Sequence, residues 1–277
     1  MSASWQENVW PPYKVRTHNP SAQSENRIHS HSVAQRYGFK GALVPGVVIF
    51  SHMTQPLVAH LGEQWLQRGI ADVTFYKPAY EDEMLTVSAS PASGAGDEPA
   101  YTVTCINDEE VELARMSTEV AETEVPPDPR AQIAPAPPSS ERPVVTWELM
   151  ETGKPFPALS WQPTRADNLQ WCNEVRDELP LYREGPAPLL HPGLILRQAN
   201  LALRSRFTLP AWIHTGSRIT LHAALRAGER YEVRAIPEQK WIKKEHEFVR
   251  LYVAIRLGER TVAEVMHTAI FRLREVE

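Results

Sequence analysis

Apolar residues change their spacing twice along this chain, in the same order each time. A strongly apolar segment, Val47 to Leu61, follows Pro45-Gly46, and a second, Leu194 to Leu203, follows Pro192-Gly193. Apolar on most sides, each predicts a long helix buried on most sides. Beyond Trp65 and Trp212 the spacing turns to alternation. Val73 and Phe75, then Leu85 and Val87, carry it in the first half; Ile219 and Leu221, then Tyr231, Val233 and Ala235, carry it in the second. A period of two marks strands with one buried face. Phe248 to Leu257 and Thr261 to Leu273 extend the series, with turns supplied by Asn107-Asp108-Glu109-Glu110 and Gly258-Glu259.

The two series are copies. Pro45-Gly46 and Pro192-Gly193, Trp65 and Trp212, and Gly69 and Gly216 all stand 147 residues apart, and DEMLTV at 82–87 aligns with GERYEV at 228–233. Between them, VPPDPRAQIAPAPPSSERP holds seven of the 24 prolines and reads as an extended connector. The organisation expected is therefore an N-terminal unit over 1–124, a linker over 125–143 and a C-terminal unit over 144–277. Each unit is α+β: a long central helix, 47 to 61 or 194 to 205, wrapped by its own antiparallel sheet and related to the other by a pseudo-twofold axis. Set side by side, the sheets can join edge to edge and lose their exposed edges. Pro56 is expected to bend or shorten the first helix.

Composition narrows the function classes. In 277 residues, 42% hydrophobic and 23% charged describe a folded globular chain. Lys plus Arg is 29 against 34 Asp plus Glu, a net charge of −5, which argues against a domain that binds nucleic acid by neutralising phosphates. Cys105 and Cys172 are too few for a disulfide framework or a four-thiolate zinc site, so a cytoplasmic location is expected. Met1 to Pro12 lacks a basic start followed by an apolar run, and no segment reaches the ~20 apolar residues of a membrane span.

The candidate chemistry precedes the first Pro-Gly. Asn26, His29, Ala34, Gly38-Phe39 and Gly46 follow one another in a pattern that resembles the MaoC-like hydratases, the (R)-specific 2-enoyl-CoA hydratases and dehydratases of the hotdog fold. With the internal repeat, the resemblance implies a double hotdog over nearly the whole chain, and a homodimer of double hotdogs as an allowed assembly. It implies reversible hydration of a 2-enoyl thioester, presented on coenzyme A or an acyl carrier, with no metal and no redox cofactor. Such chemistry needs a base for water, an acid for the α carbon and donors for the thioester oxygen. The resemblance gives the base to His29, places Asn26 in the substrate site, and offers the backbone N–H of Gly46 to the thioester carbonyl.

The motif's acidic position, five before the histidine, is Ser24 here, and Glu25 stands one residue later. Either is a candidate for the missing polar role. The second half keeps an acid, Asp177, but has Tyr182 where a histidine would stand, so it reads as the degenerate copy, with Asp177 and Tyr182 contributing to substrate binding or scaffold. A composite site pairing His29 with Asp177 is the alternative. His191, before Pro192-Gly193, reads as a capping or packing residue. His29-Ser30-His31 lacks the further ligands of a metal site, and Lys240, Lys243 and Lys244 offer either phosphate contacts or a solvated hairpin. No Gly-x-Ser-x-Gly, Gly-x-Gly-x-x-Gly or Walker-type loop occurs. Two rivals remain: a hotdog thioesterase, with Glu25 or Asp177 activating water, and a non-catalytic acyl-binding subunit.

Overall fold

A computed structural model describes residues 10–92 and 100–274. Residues 1–9, most of the stretch read above for a secretion signal, lie outside the described residues. The N-terminal half runs β1 (Tyr13–Arg16), α1 (His31–Arg36), α2 (Gly46–Leu61), α3 (Glu63–Arg68), β2 (Gly69–Phe75), β3 (Met84–Pro91), β4 (Ala100–Asn107) and β5 (Glu112–Val120). The C-terminal half runs β6 (Leu159–Trp161), α4 (Arg165–Glu174), α5 (Pro180–Arg183), α6 (Pro192–Arg206), β7 (Ile213–Leu221), β8 (Tyr231–Lys243), β9 (His246–Leu257) and β10 (Arg260–Arg272).

The long apolar segments are the two central helices, α2 and α6. Pro56 does not shorten α2, which runs on to Leu61 and stops at Gly62, a residue with φ of 60°. Such a backbone conformation suits glycine and ends the helix. The helices meet where Gly193 faces Ser51. A methyl group built on Gly193 would lie 2.0 Å from Ser51 Oγ, so only glycine lets the two approach.

The expectation of a sheet for each helix is refined by the pairing of the strands, which joins the two edge to edge. The ten strands among the described residues form one sheet in the order β1-β3-β4-β5-β2-β7-β10-β9-β8-β6. Each half contributes the same order of strands, and β2 and β7 fuse them by antiparallel pairing from Ile70 opposite Thr220 to Thr74 opposite Gly216. Two edges that would have been exposed are thereby satisfied. Close approach at this seam explains Gly216, whose Cβ would sit 2.8 Å from the Val73 carbonyl.

Alternation along the strands decides which side chains enter the core. Leu85, Val87 and Ala89 of β3 are buried, as are Val233 and Ala235 of β8 and Val253 and Ile255 of β9. The proline-rich segment lies against the sheet's other face, where buried Ala131 packs with Tyr252 and Ala254, and Arg130 pairs with Asp128 and Glu238.

Candidate active site

The loop from β1 to α2 is fixed by one asparagine. Asn26 caps a 3-10 turn over Arg27–His29. Its amide grips the backbone of the other half, accepting from Trp212 N–H at 3.1 Å and donating to Trp212 C=O at 2.9 Å. The turn is thus tied to the start of β7. His29 Nδ1 stands 2.7 Å from the carbonyl of Leu43. A carbonyl only accepts, so Nδ1 carries the proton and Nε2 presents its lone pair. Asn26 Nδ2 lies 3.2 Å from that Nε2. Burial lowers the pKa of His29 from its ordinary value, with the Leu43 carbonyl opposing the shift, so the ring is neutral at pH 7.

Beside this turn is a cavity of about 220 Å³ shared by both halves. His29, Gly46 and Phe75 line it from the first half; Asn200, Trp212 and His214 line it from the second. Gly46 is the first residue of α2, and its cap, Pro45, makes no side-chain hydrogen bond to the helix end. The open N–H groups there carry the positive end of the helix dipole. A methyl group on Gly46 would lie 3.0 Å from His214 Nδ1 and 3.1 Å from the Phe75 ring, so glycine keeps this corner of the cavity clear. Three buried polar atoms of lining residues have no partner among the described residues: Asn200 Oδ1, Trp212 Nε1 and His214 Nδ1. All three belong to the C-terminal half.

The second copy is closed by its own side chains. His191 Nδ1 accepts from Gly193 N–H at 3.0 Å, capping α6 where α2 stays open. That leaves the proton on His191 Nε2, which donates to Asp177 Oδ2 at 3.2 Å. Asp177 Oδ1 accepts from Leu179 N–H at 2.9 Å. Tyr182 is fully buried with its ring 4.7 Å from His191, and burial drives its phenol pKa well above the ordinary value. Asp177 and Tyr182 therefore occupy a packed interior and do not line the cavity beside His29.

The other sequence candidates are dispersed. Glu25 is exposed, with Oε2 2.8 Å from Arg142 Nη2 and 3.5 Å from Arg204 Nε. Its hydrogen bond to Arg142 holds the carboxyl pKa down, and it clamps the loop to the proline-rich segment and α6. Ser24 Oγ donates to the Asn26 carbonyl at 3.3 Å, a local turn contact. Neither is among the residues lining the cavity. Lys240 stacks over Trp147 at 4.4 Å, while Lys243 ends β8 and Lys244 begins its hairpin turn. Cys105 and Cys172 are buried and free; burial pushes both thiols up to about 12, which makes them inert at neutral pH. Trp212 is a repeat marker in the sequence and His214 carries no motif, and nothing in their local spacing announces that β7 begins beside a turn 186 residues away in the chain.

No protein-family model and no curated protein sequence matches the chain. Solved structures do. A Chloroflexus aurantiacus J-10-fl protein assigned as a MaoC domain dehydratase is 12% identical over 97% of this chain and 95% of its own, with a TM-score of 0.66. A conserved hypothetical protein from Mycobacterium tuberculosis, described as having a double hotdog fold, is 14% identical over 96% and 95%, with a TM-score of 0.61. Acyl-CoA thioesterase II TesB2 from Mycobacterium marinum is 13% identical over 82% and 90%, with a TM-score of 0.52. The chain has a double hotdog fold, one shared by structures described as MaoC-like dehydratases and as acyl thioesterases. No helix among the described residues is long and apolar enough to cross a membrane.

Proposed function

Proceeding from the double hotdog fold, we propose that this protein adds water to a 2-enoyl thioester and, in reverse, dehydrates the 3-hydroxyacyl thioester, carried on coenzyme A or an acyl carrier. One observation carries the reading: a neutral histidine with its lone pair on Nε2 and the uncapped N-terminus of α2 line the same cavity. In the hydration direction, water replaces the Asn26 amide at His29 Nε2 and gives that nitrogen a proton as the water oxygen bonds to C3. Negative charge moves to the thioester oxygen, where the N–H groups at Gly46 stabilise it. The imidazolium of His29 then gives a proton to C2 and returns to neutral, so the elements of water are added and no other reagent is consumed. Asn26 holds the turn in place through Trp212.

A thioesterase would need a group to direct water at the carbonyl carbon. The carboxylate expected for that, Glu25 or Asp177, is not in the cavity lining, which favours hydration. Turnover in water enriched in oxygen-18 separates the two: hydration puts the label on the 3-hydroxyl, and thioester hydrolysis puts it in a free carboxylate. Label in the carboxylate would overturn the reading.

Two variants probe the site's limits. Glu25→Gln is expected to leave turnover at the wild-type value, because its carboxylate is paired on the surface. Gly46→Ala is expected to lower kcat/KM on the order of tenfold or more, since the added methyl crowds the reacting carbonyl against His214 and Phe75. Steady-state kinetics on both variants check this; equal damage in the two would return Glu25 to the mechanism.

A further inference from the structure

We propose that His214 is a second donor to the thioester oxygen, held as its Nδ1–H tautomer by a buried chain through Ser217 to His267. This rests on the acyl-thioester reading of the cavity and adds a group that the motif does not contain. His214 Nε2 lies 2.8 Å from Ser217 Oγ, and Ser217 Oγ lies 3.0 Å from His267 Nδ1. The three residues are 7%, 4% and 0% exposed.

A fault in the strand makes the chain of contacts. Residues three apart on a regular strand point to opposite faces. Here Thr268 pairs with Gly216 and Ala269 with His214, leaving Thr215 as an extra residue in β7. That bulge brings His214 and Ser217 to the same buried face. Ser217 is directly opposite His267 on β10, so their bond is a cross-strand pair.

Ser217 has one hydroxyl proton, and the chain therefore has two neutral arrangements. In one, Ser217 donates to His267 and accepts from His214 Nε2–H; His267 then buries an Nε2–H with no acceptor. In the other, His267 Nδ1–H donates to Ser217, Ser217 donates to His214 Nε2, and His214 carries its proton on Nδ1. The second leaves a lone pair unmatched at His267 Nε2 and an N–H at His214 Nδ1, and neither atom has a partner among the described residues. Buried N–H groups without acceptors are the rarer and costlier defect. Each arrangement leaves one such N–H, but His214 lines the cavity and His267 does not, so only the second sets it where a bound oxygen can accept; it turns a donor toward the α2 terminus, where a Gly46 methyl would meet Nδ1 at 3.0 Å. Burial, reinforced by the adjacent His267 and opposed weakly by the Gly216 carbonyl, keeps His214 far below the ordinary histidine pKa. A neutral imidazole donates to an oxyanion without bringing a full charge into the cavity.

The test uses butyryl-CoA labelled with carbon-13 at the thioester carbon, which binds without being hydrated, and nitrogen-15 histidine in the full chain. Wild type should show His214 protonated on Nδ1 at pH 7 and a downfield carbonyl shift of the bound thioester. His214→Leu should lose that shift and lower kcat on enoyl thioesters by about 100-fold, the scale of one oxyanion donor, with KM changed far less. Ser217→Ala keeps the ring but removes its tautomer control, so it should move the His214 proton toward Nε2 and weaken the carbonyl shift. It carries the test if His214→Leu does not fold. An Nε2–H tautomer in wild type, or a carbonyl shift unchanged in these variants, overturns the proposal. A carbonyl shift that depends on His214 in a protein that hydrates no enoyl thioester would uphold it and overturn the hydratase reading. A protein that binds no butyryl-CoA overturns both.

Discussion

His29→Ala is expected to lower turnover of enoyl thioesters by about 100-fold or more, the scale of a positioned acid–base group. The ring is held by two contacts, Nδ1 to the Leu43 carbonyl and Nε2 to the Asn26 amide, and Asn26 keeps its paired bonds to Trp212 without it. Fold and thermal stability should therefore change little. The same residue sets the pH profile. A base works only when unprotonated, and burial lowers the pKa of His29 from 6.5. The acid limb of kcat/KM should accordingly fall below pH 6.5, with a flat profile through neutrality. Turnover unchanged by the substitution would remove His29 from the mechanism. An acid limb above pH 6.5 would mean that another group titrates.

Asp177→Ala is expected to act on stability. It strips the acceptor from two donors in a buried site, Leu179 N–H and His191 Nε2–H. Each buried donor left unmatched costs about 1–3 kcal/mol, so the two together should cost about 2–6 kcal/mol. For a chain of this size that lowers Tm on the order of 10 °C. His191, freed from Asp177, also holds the Gly193 cap less well, so α6 should fray at its N-terminus. Turnover per folded molecule should match wild type. Calorimetry and kinetics on one preparation check the pair of outcomes. An inactive variant with an unchanged Tm would place the chemistry in the second half.

Much of this was visible in the spacing of residues. The helices expected at 47 to 61 and 194 to 205 are α2 at Gly46–Leu61 and α6 at Pro192–Arg206, because a long apolar run has few other fates in a globular chain. Alternation located the longer strands but was silent about their neighbours: it says which face is buried, and β2 and β7 join through backbone groups that every residue possesses. The edge strands Tyr13–Arg16 and Leu159–Trp161 are too short to display a period. At the site, Asn26 and His29 were legible as a motif. Glu25 is a candidate by its closeness in sequence to the motif, yet the residue next to a buried asparagine points outward, toward Arg142 and Arg204. The place of His214 depends on a bulge, and a bulge is a relation between two strands that neither one's sequence states.

The reaction proposed for His29 is the addition of water to a carbon–carbon double bond conjugated to a thioester. It is tested most directly by giving the wild-type protein and His29→Ala short, medium and long trans-2-enoyl-CoA substrates, while recording enoyl absorbance and free thiol on the same sample. Wild type is expected to consume the enoyl absorbance of at least one chain length with no thiol released, and His29→Ala is expected to leave it unchanged. Thiol release matching the loss of substrate, or enoyl absorbance unchanged with every chain length, would contradict the proposed reaction.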